Sequence, residues 1–304
     1  VVALLLFFAG MFPYFKLSNL TDIAVVESAV GSSSFLPYGW MGVWAALPFA
    51  MWFFLAIEGV PLAAEESTNP AKDVPKGIIT AMFILTIFAG LVLFLASGGA
   101  GAKRMSEHSA PLVGALQSVY GENSKIAGVL NIVGLFGLIA SFFSVIYAYS
   151  RQLFALSRAG YLPRFLSITG RRKVPSYALI VPGIIGFLCT LTGKGDLMLT
   201  MAVFGATISY ALMMASHIVL RVKEPNLKRP YKTPGGMLTS IVALVLSLIA
   251  LASTFLVNQE AALWMVAVYV LLIAYFLLYS RQYIVAKAPE EEFEAIQAAA
   301  LAIK

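Results

Sequence analysis

The sequence predicts an all-α, polytopic membrane protein, and three observations support this fold class. Apolar residues make up 60% of the 304-residue chain and charged residues only 12%, about half the charged share of a typical soluble domain. The apolar residues form repeated long runs, and a helix needs about 20 such residues to span a bilayer. The basic residues cluster in alternate connections between these runs.

Eight apolar runs are candidate membrane spans, and together they form a transmembrane domain of residues 1–283. The chain begins inside the first run, so we expect that span to be truncated. Asn69-Pro70 predicts a turn, and Pro75 suits the start of the following helix. The polar stretch Lys103–Lys125 has room for a short interfacial helix. The predicted spans are Val1–Pro13, Tyr38–Ala64, Gly77–Gly99, Ile126–Ser157, Pro175–Gly193, Leu197–Arg221, Gly236–Val257 and Ala261–Tyr283.

The positive charges predict the orientation, because cytoplasmic connections carry an excess of Lys and Arg. If Tyr38–Ala64 runs from outside to inside, the inner connections hold about three times as many basic residues as the outer ones. The C-terminal tail, residues 284–304, is then cytoplasmic, and the protein lies in the cell membrane as a multi-pass protein. The net charge of +6 is therefore a topology signal, and we expect no nucleic-acid partner.

Residue types that carry enzyme chemistry or bind metals are scarce. The chain has one cysteine, Cys189, and two histidines, His108 and His217, far apart in sequence. It contains no HExxH motif and no nucleophile elbow. We therefore expect a protein that is not an enzyme, with no metal site and no cofactor.

The span Tyr38–Ala64 differs from the others because an acidic residue lies inside it. Placing Glu58 at membrane depth costs about 3 kcal/mol or more. Gly59 and Pro61 follow at once, so Ala56–Pro61 is predicted to break the helix. Such breaks are tolerated where protein or water surrounds them, and in transporters they offer free carbonyls to substrates at the membrane midplane. The alternative is a proline kink in which Glu58 forms a salt bridge for packing.

Free carbonyls before the break suit an ammonium group, which only donates hydrogen bonds. Trp52 lies six residues before Glu58 and could stack on a cation. A tryptophan that faces lipid or the membrane interface is an equally good interpretation of Trp52.

Three segments resemble the amino acid–polyamine–organocation permeases. The first segment, which reads IEGVPLAAEESTNPAKDVPKG in this chain, resembles the sixth helix of that family and the loop after it. The second resembles the inner end of the eighth helix, YSRQLFALSRAGYLPRFLS. The third resembles the loop before the eleventh helix, LRVKEPNLKRPYKTPGG. The amino-acid sequences of all three segments are most similar to those of the ethanolamine permeases.

The resemblance implies a LeuT-like fold, built from a five-plus-five inverted repeat with two further helices. The eight spans would be helices five to twelve. The implied function is secondary active import of a small amine, ethanolamine first, by alternating access. The coupling ion would be a proton, with sodium as the other candidate. An amino acid permease or exchanger of the same superfamily is the alternative function.

The resemblance also implies a substrate site around Glu58, in which the carbonyls of Trp52 and Leu55 hold the amine. Glu58 and Pro61 would couple binding to gate movement or to a proton. Many family members place glycine two residues before the glutamate, where this chain has Ala56, so the break could be shifted here. The substrate-binding candidates are Trp52, Leu55, Ala56, Ile57, Glu58 and Gly59.

Two further spans contribute hydroxyl candidates for an ion or pocket site. Ser141 and Ser144 share a helix face, and in sodium-coupled relatives of this fold hydroxyls at about this place bind the ion. Thr207 and Tyr210 are candidates to line the pocket. Hydrogen bonding between helices or close packing of small residues is the alternative role for the two serines.

Overall fold

Every regular element in the described part of the chain is helical. The computed structural model describes residues 1–106, 111–122, 124–170 and 174–284, without the side chains of Ala63, Glu65 and Glu66. Most of the predicted tail, 284–304, thus lies outside the described residues. The α-helices are α1 Val2–Met11, α2 Gly39–Trp52, α3 Pro70–Ala100, α4 Ala102–Ser106, α5 Pro111–Tyr120, α6 Lys125–Arg158, α7 Ser176–Thr190, α8 Gly195–Lys223, α9 Gly236–Val257 and α10 Gln259–Leu278.

Six helical segments are long and apolar enough to cross a membrane, within the part of the chain that the structure describes. They are Gly39–Leu62, which extends beyond α2, and the helices α3, α6, α8, α9 and α10. Helix α7 is shorter than the predicted span, with 15 residues between Pro175 and a left-handed Gly193 at φ +69°. The expected short helix in Lys103–Lys125 is present as α5. The multi-pass helical architecture is confirmed.

Helix α3 begins at Pro70, so the prediction that it starts at Pro75 is wrong. Pro70 occupies the first helical position, where its missing N–H costs no hydrogen bond. The Asp73 carboxylate accepts hydrogen bonds from the Asn69 backbone N–H at 3.1 Å and the Ser67 hydroxyl at 3.0 Å. These contacts fix the first turn ahead of Pro75, which lies inside the helix.

The structure divides into two compact units, and the first comprises Val1–Ser141 and Ala206–Val257. A buried cluster joins α1, α3, α5 and the start of α6, around Phe7, Leu95 and Leu116. At the end of α3, the Gly98 carbonyl accepts hydrogen bonds from the Lys16 N–H and the Asn19 side chain, both at 2.9 Å. The same unit contains the broken segment that follows α2.

The second unit comprises Phe142–Gly205 and the chain from Asn258 onward. The Tyr149 hydroxyl donates to the Leu179 carbonyl at 2.9 Å and joins α6 to α7. Ser280, after α10, donates to the carbonyls of Gly160 and Tyr161 just beyond the end of α6. This unit therefore contains the second half of α6, the first residues of α8, and α7 and α10.

Candidate functional site at the broken helix

The predicted helix break is present and centres on Ala56. Helix α2 ends at Trp52, and a 3₁₀ helix, Ile57–Glu66, follows it. Between them Ala56 adopts a left-handed conformation, φ +71° and ψ +11°. It is the one residue other than glycine with a positive φ in the described ranges. This conformation costs an L-residue about 1–2 kcal/mol, so surrounding contacts must hold it in place.

The left-handed residue at the break takes the place of the glycine expected from the family resemblance. Ala56 lies two residues before Glu58, at the position where many family members have glycine. It nevertheless adopts the backbone conformation that glycine reaches without a steric cost. The break in this chain therefore includes Ala56 itself.

The backbone carbonyls around the break are only partly satisfied. The Trp52 carbonyl accepts from the Leu55 N–H at 3.3 Å, and the Ala56 carbonyl accepts from the Gly59 N–H at 3.0 Å. The first of these bonds is longer than the usual distance of about 2.9–3.0 Å. In the described part of the chain, the Leu55 carbonyl receives no hydrogen bond. Of the two carbonyls expected to hold an amine, one is free and one is weakly engaged.

Glu58, on the first turn after the break, meets the side chain of Tyr210. The Tyr210 hydroxyl donates a hydrogen bond to Glu58 Oε2 at 2.9 Å. Tyr210 lies on α8, 152 residues away in sequence, within the same compact unit. Both side chains are partly buried. Two of the candidate residues named on separate spans are therefore in direct contact.

This partner is relevant to both interpretations of Glu58. A structural salt bridge requires a basic residue within about 4 Å, and across the described residues no ion pair involves Glu58. A carboxylate has about four lone-pair positions, and a phenol fills one of them. The group is thus anchored by a neutral donor and can still accept an ammonium group or a proton.

The remaining residues of the segment surround this carboxylate in sequence and differ in exposure. Ile57 and Gly59 are partly buried, whereas Pro61 is exposed within the 3₁₀ helix. The Trp52 side chain is 45% exposed at the last position of α2. The exposed ring is available either to a cation or to lipid, so both interpretations of Trp52 remain.

The hydroxyl candidates lie in different surroundings. Thr207 is fully buried one turn before Tyr210 on α8. Ser141 and Ser144 are exposed on α6. Ser141 belongs to the first compact unit and Ser144 to the second. No hydrogen bond joins Ser141 to Glu58 or Tyr210 in the described ranges. Tyr210 is therefore the candidate with a hydrogen bond to Glu58 in the described residues.

A second proline in the broken span creates a polar contact that the sequence analysis missed. Pro48, inside α2, has no N–H to offer the carbonyl four residues earlier, which is that of Trp44. The Ser253 hydroxyl of α9 donates to this carbonyl at 2.5 Å instead. Ser253 is fully buried. Pro48 was a visible signal, but the sequence does not reveal which hydroxyl satisfies the freed carbonyl.

Comparison with known proteins identifies the family. A family model described as amino acid permease matches residues 1–279. The chain belongs to this family. It is a member of the amino acid–polyamine–organocation superfamily, and its regular elements are all helical over the residues that the structure describes.

Individual relatives transport chemically different substrates according to their names. The branched-chain amino acid permease BcaP of Bacillus subtilis (strain 168) is 32% identical over 202 residues, 66% of this chain and 43% of the relative. The aromatic amino acid transport protein AroP of Salmonella typhimurium (strain SL1344) is 24% identical over 261 residues, 82% of this chain and 56% of the relative. The methylthioribose transporter of Bacillus subtilis (strain 168) is 27% identical over 208 residues, which are 66% of this chain and 43% of the relative. The chain spans about half the length of these curated relatives.

Proposed function

We propose that this chain is part of a secondary active transporter that imports a small amine, with ethanolamine as its preferred substrate. The observation that carries the proposal is the contact between Glu58 and Tyr210 at a helix break inside a membrane span. A half-buried carboxylate held by a neutral hydroxyl is electrostatically unbalanced, because no basic side chain pairs with it in the described residues. A cationic substrate or a proton supplies the missing charge.

The substrate amine would bind beside the break, through the carbonyls of Trp52 and Leu55. An ammonium group has three donors and no acceptor, so it needs carbonyl and carboxylate oxygens. The free Leu55 carbonyl and the acceptor positions left on Glu58 are oxygens of this kind. Trp52 adds an exposed aromatic face at the end of α2, which favours a nearby cation by about 0.5–2 kcal/mol.

Coupling would follow from a competition for the Glu58 carboxylate. Its negative form accepts the Tyr210 hydrogen bond and attracts an ammonium group, whereas protonation removes the charge that both interactions use. Alternating access would then move the two helix halves that meet at Ala56 and Pro61. A proton is the proposed coupling ion, because the Glu58 carboxylate at the break is a group that can take up a proton.

An amino acid permease or exchanger is the second candidate function. The names of BcaP and AroP favour it, whereas the name of the methylthioribose transporter indicates that the family also accepts substrates without an amino acid group. The three segments that resemble ethanolamine permeases favour the amine.

The deciding experiment is uptake of labelled ethanolamine by the intact permease in proteoliposomes under an imposed pH gradient. Ethanolamine accumulation that resists excess alanine, arginine and glutamate supports the amine transporter. Accumulation of an amino acid without ethanolamine uptake supports the second candidate and refutes the first. Collapse of the pH gradient should abolish accumulation, and a gradient of sodium alone should not restore it.

A further inference from the structure

A basic cleft lies at the start of α3, away from the broken helix. Lys72 and Lys76 are four residues apart and share one face of the helix. Across from this face, Pro230 and Tyr231 of the loop between α8 and α9 close a cleft of about 400 Å³. Both walls belong to the first compact unit.

The loop wall of this cleft is held in a defined conformation by an arginine. Arg229 donates to the carbonyls of Glu224 at 2.7 Å and of Pro225 and Leu227 at 3.2 Å. These bonds join Arg229 to the loop that follows directly after α8, which ends at Lys223. They also fix the position of the next two residues, which form the wall. Since Arg229 is used in this way, its guanidinium supports the cleft without lining it.

The charged side chains that line the cleft are both positive. Its lining contains two lysines and no acidic residue. Asp73, the acid nearest to them on α3, is engaged by Ser67 and the Asn69 N–H at the start of the helix. Neither lysine forms an ion pair within the described ranges. Two ammonium groups in one cleft favour an anion.

The apolar part of the lining distinguishes a lipid from a soluble anion. Ile79, which is 52% exposed, and Pro230 line the cleft next to the lysines, and the Thr80 hydroxyl lies one turn beyond Lys76. The long apolar run of α3 begins directly after Lys76. The cleft therefore spans the boundary at which charged side chains give way to the surface that faces acyl chains. Tyr231 suits this boundary, because tyrosine is enriched at membrane interfaces.

We propose that the cleft formed by Lys72, Lys76 and Tyr231 binds the phosphate headgroup of an anionic phospholipid. The two ammonium groups and the phenol hydroxyl would contact the phosphate, and an acyl chain would lie along Ile79 and the helix surface that follows. Basic pockets between transmembrane helices bind lipid headgroups in this manner. The proposal does not depend on the substrate of the transporter.

The test measures lipid binding to the intact protein, purified in a neutral detergent, by native mass spectrometry. The probes are phosphatidylglycerol and phosphatidylcholine, and inorganic phosphate serves as a competitor. A lysine near an anionic lipid contributes about fivefold to affinity, so the double variant Lys72→Gln/Lys76→Gln should bind phosphatidylglycerol about 25-fold more weakly. The variant Lys72→Arg/Lys76→Arg should retain binding, because it keeps both charges.

A matched pair controls for the loss of charge. Lys223 and Lys228 are exposed basic residues near the same loop and do not line the cleft. Lys223→Gln/Lys228→Gln should leave phosphatidylglycerol binding within about twofold of the wild type. An equal loss in both double variants would overturn the proposal, because it would show attraction to the basic surface in general. Competition by free phosphate as strong as that by the lipid would overturn the assignment to a phospholipid. Circular dichroism of each variant verifies that it is folded.

Discussion

Replacement of Ser253 by alanine should destabilise the packing of the broken span against α9. The Ser253 hydroxyl is the donor to the Trp44 carbonyl, which Pro48 deprives of its helical partner. An unsatisfied buried carbonyl costs about 1–3 kcal/mol. Measured side-chain hydrogen bonds between membrane helices average about 0.6 kcal/mol and reach about 1.7. Because this bond replaces one lost to a proline, we expect a cost near the upper end, about 1–2 kcal/mol.

A second substitution makes this prediction specific to the hydrogen bond. Pro48→Ala restores an N–H at position 48, which can donate to the Trp44 carbonyl within the helix. In that background Ser253→Ala should cost less than about 0.5 kcal/mol, which gives a coupling energy of about 1 kcal/mol in the double-mutant cycle. The assay is equilibrium unfolding in mixed micelles by titration with a denaturing detergent, with helix content as the signal.

Ser247→Ala is the matched control on the same helix. The Ser247 hydroxyl donates to the Ala243 carbonyl one turn earlier on α9, which a backbone N–H can also satisfy. Its removal should change stability by less than about 0.5 kcal/mol. Equal costs for Ser253→Ala with and without Pro48 would refute the account of the freed carbonyl. A cost no larger than that of Ser247→Ala would do the same.

The other predictions concern single residues in either unit. Ala56→Gly should raise the unfolding free energy by up to about 1 kcal/mol in the same assay, because glycine adopts the left-handed conformation freely. A loss of stability would show that the left-handed conformation of Ala56 is not strained. Tyr210→Phe should slow coupled uptake about tenfold or more at unchanged expression, since it removes a hydrogen bond to a charged group; wild-type uptake would show that this bond is dispensable. Lys194→Ala should cost less than about 1 kcal/mol, because its ion pair with Glu260 is exposed; a larger cost would indicate a buried contact.

Six of the eight predicted spans are described helices long enough to cross a membrane, because length and apolar composition are local properties. The sequence also predicts the break at Ala56–Pro61, since an acid, a glycine and a proline within six residues disfavour a continuous helix there. The start of α3 is less predictable, because Pro70 and Pro75 are both suitable first residues of a helix. The choice depends on the Asp73 contacts with Ser67 and Asn69, which become visible only with the side-chain geometry.

Contacts between distant segments are the part that sequence reasoning could not supply. Tyr210 was a candidate, but nothing local relates it to Glu58, 152 residues away. The donor to the Trp44 carbonyl could have been any hydroxyl on a neighbouring span, and the fold selects Ser253. Lys72 and Lys76 were predictable only as topology signals, because the loop with Tyr231 that turns them into a cleft is far away in sequence.

The central claim is that Glu58, at the break, couples substrate binding to the driving ion. The most direct test compares Glu58→Gln with the wild type in proteoliposomes, as the pH dependence of ethanolamine uptake with and without a proton gradient. Glutamine keeps an acceptor for the Tyr210 hydroxyl but cannot gain or lose the proton. The account predicts normal membrane expression and no uptake driven by the gradient. Wild-type rates with a wild-type pH profile would contradict it.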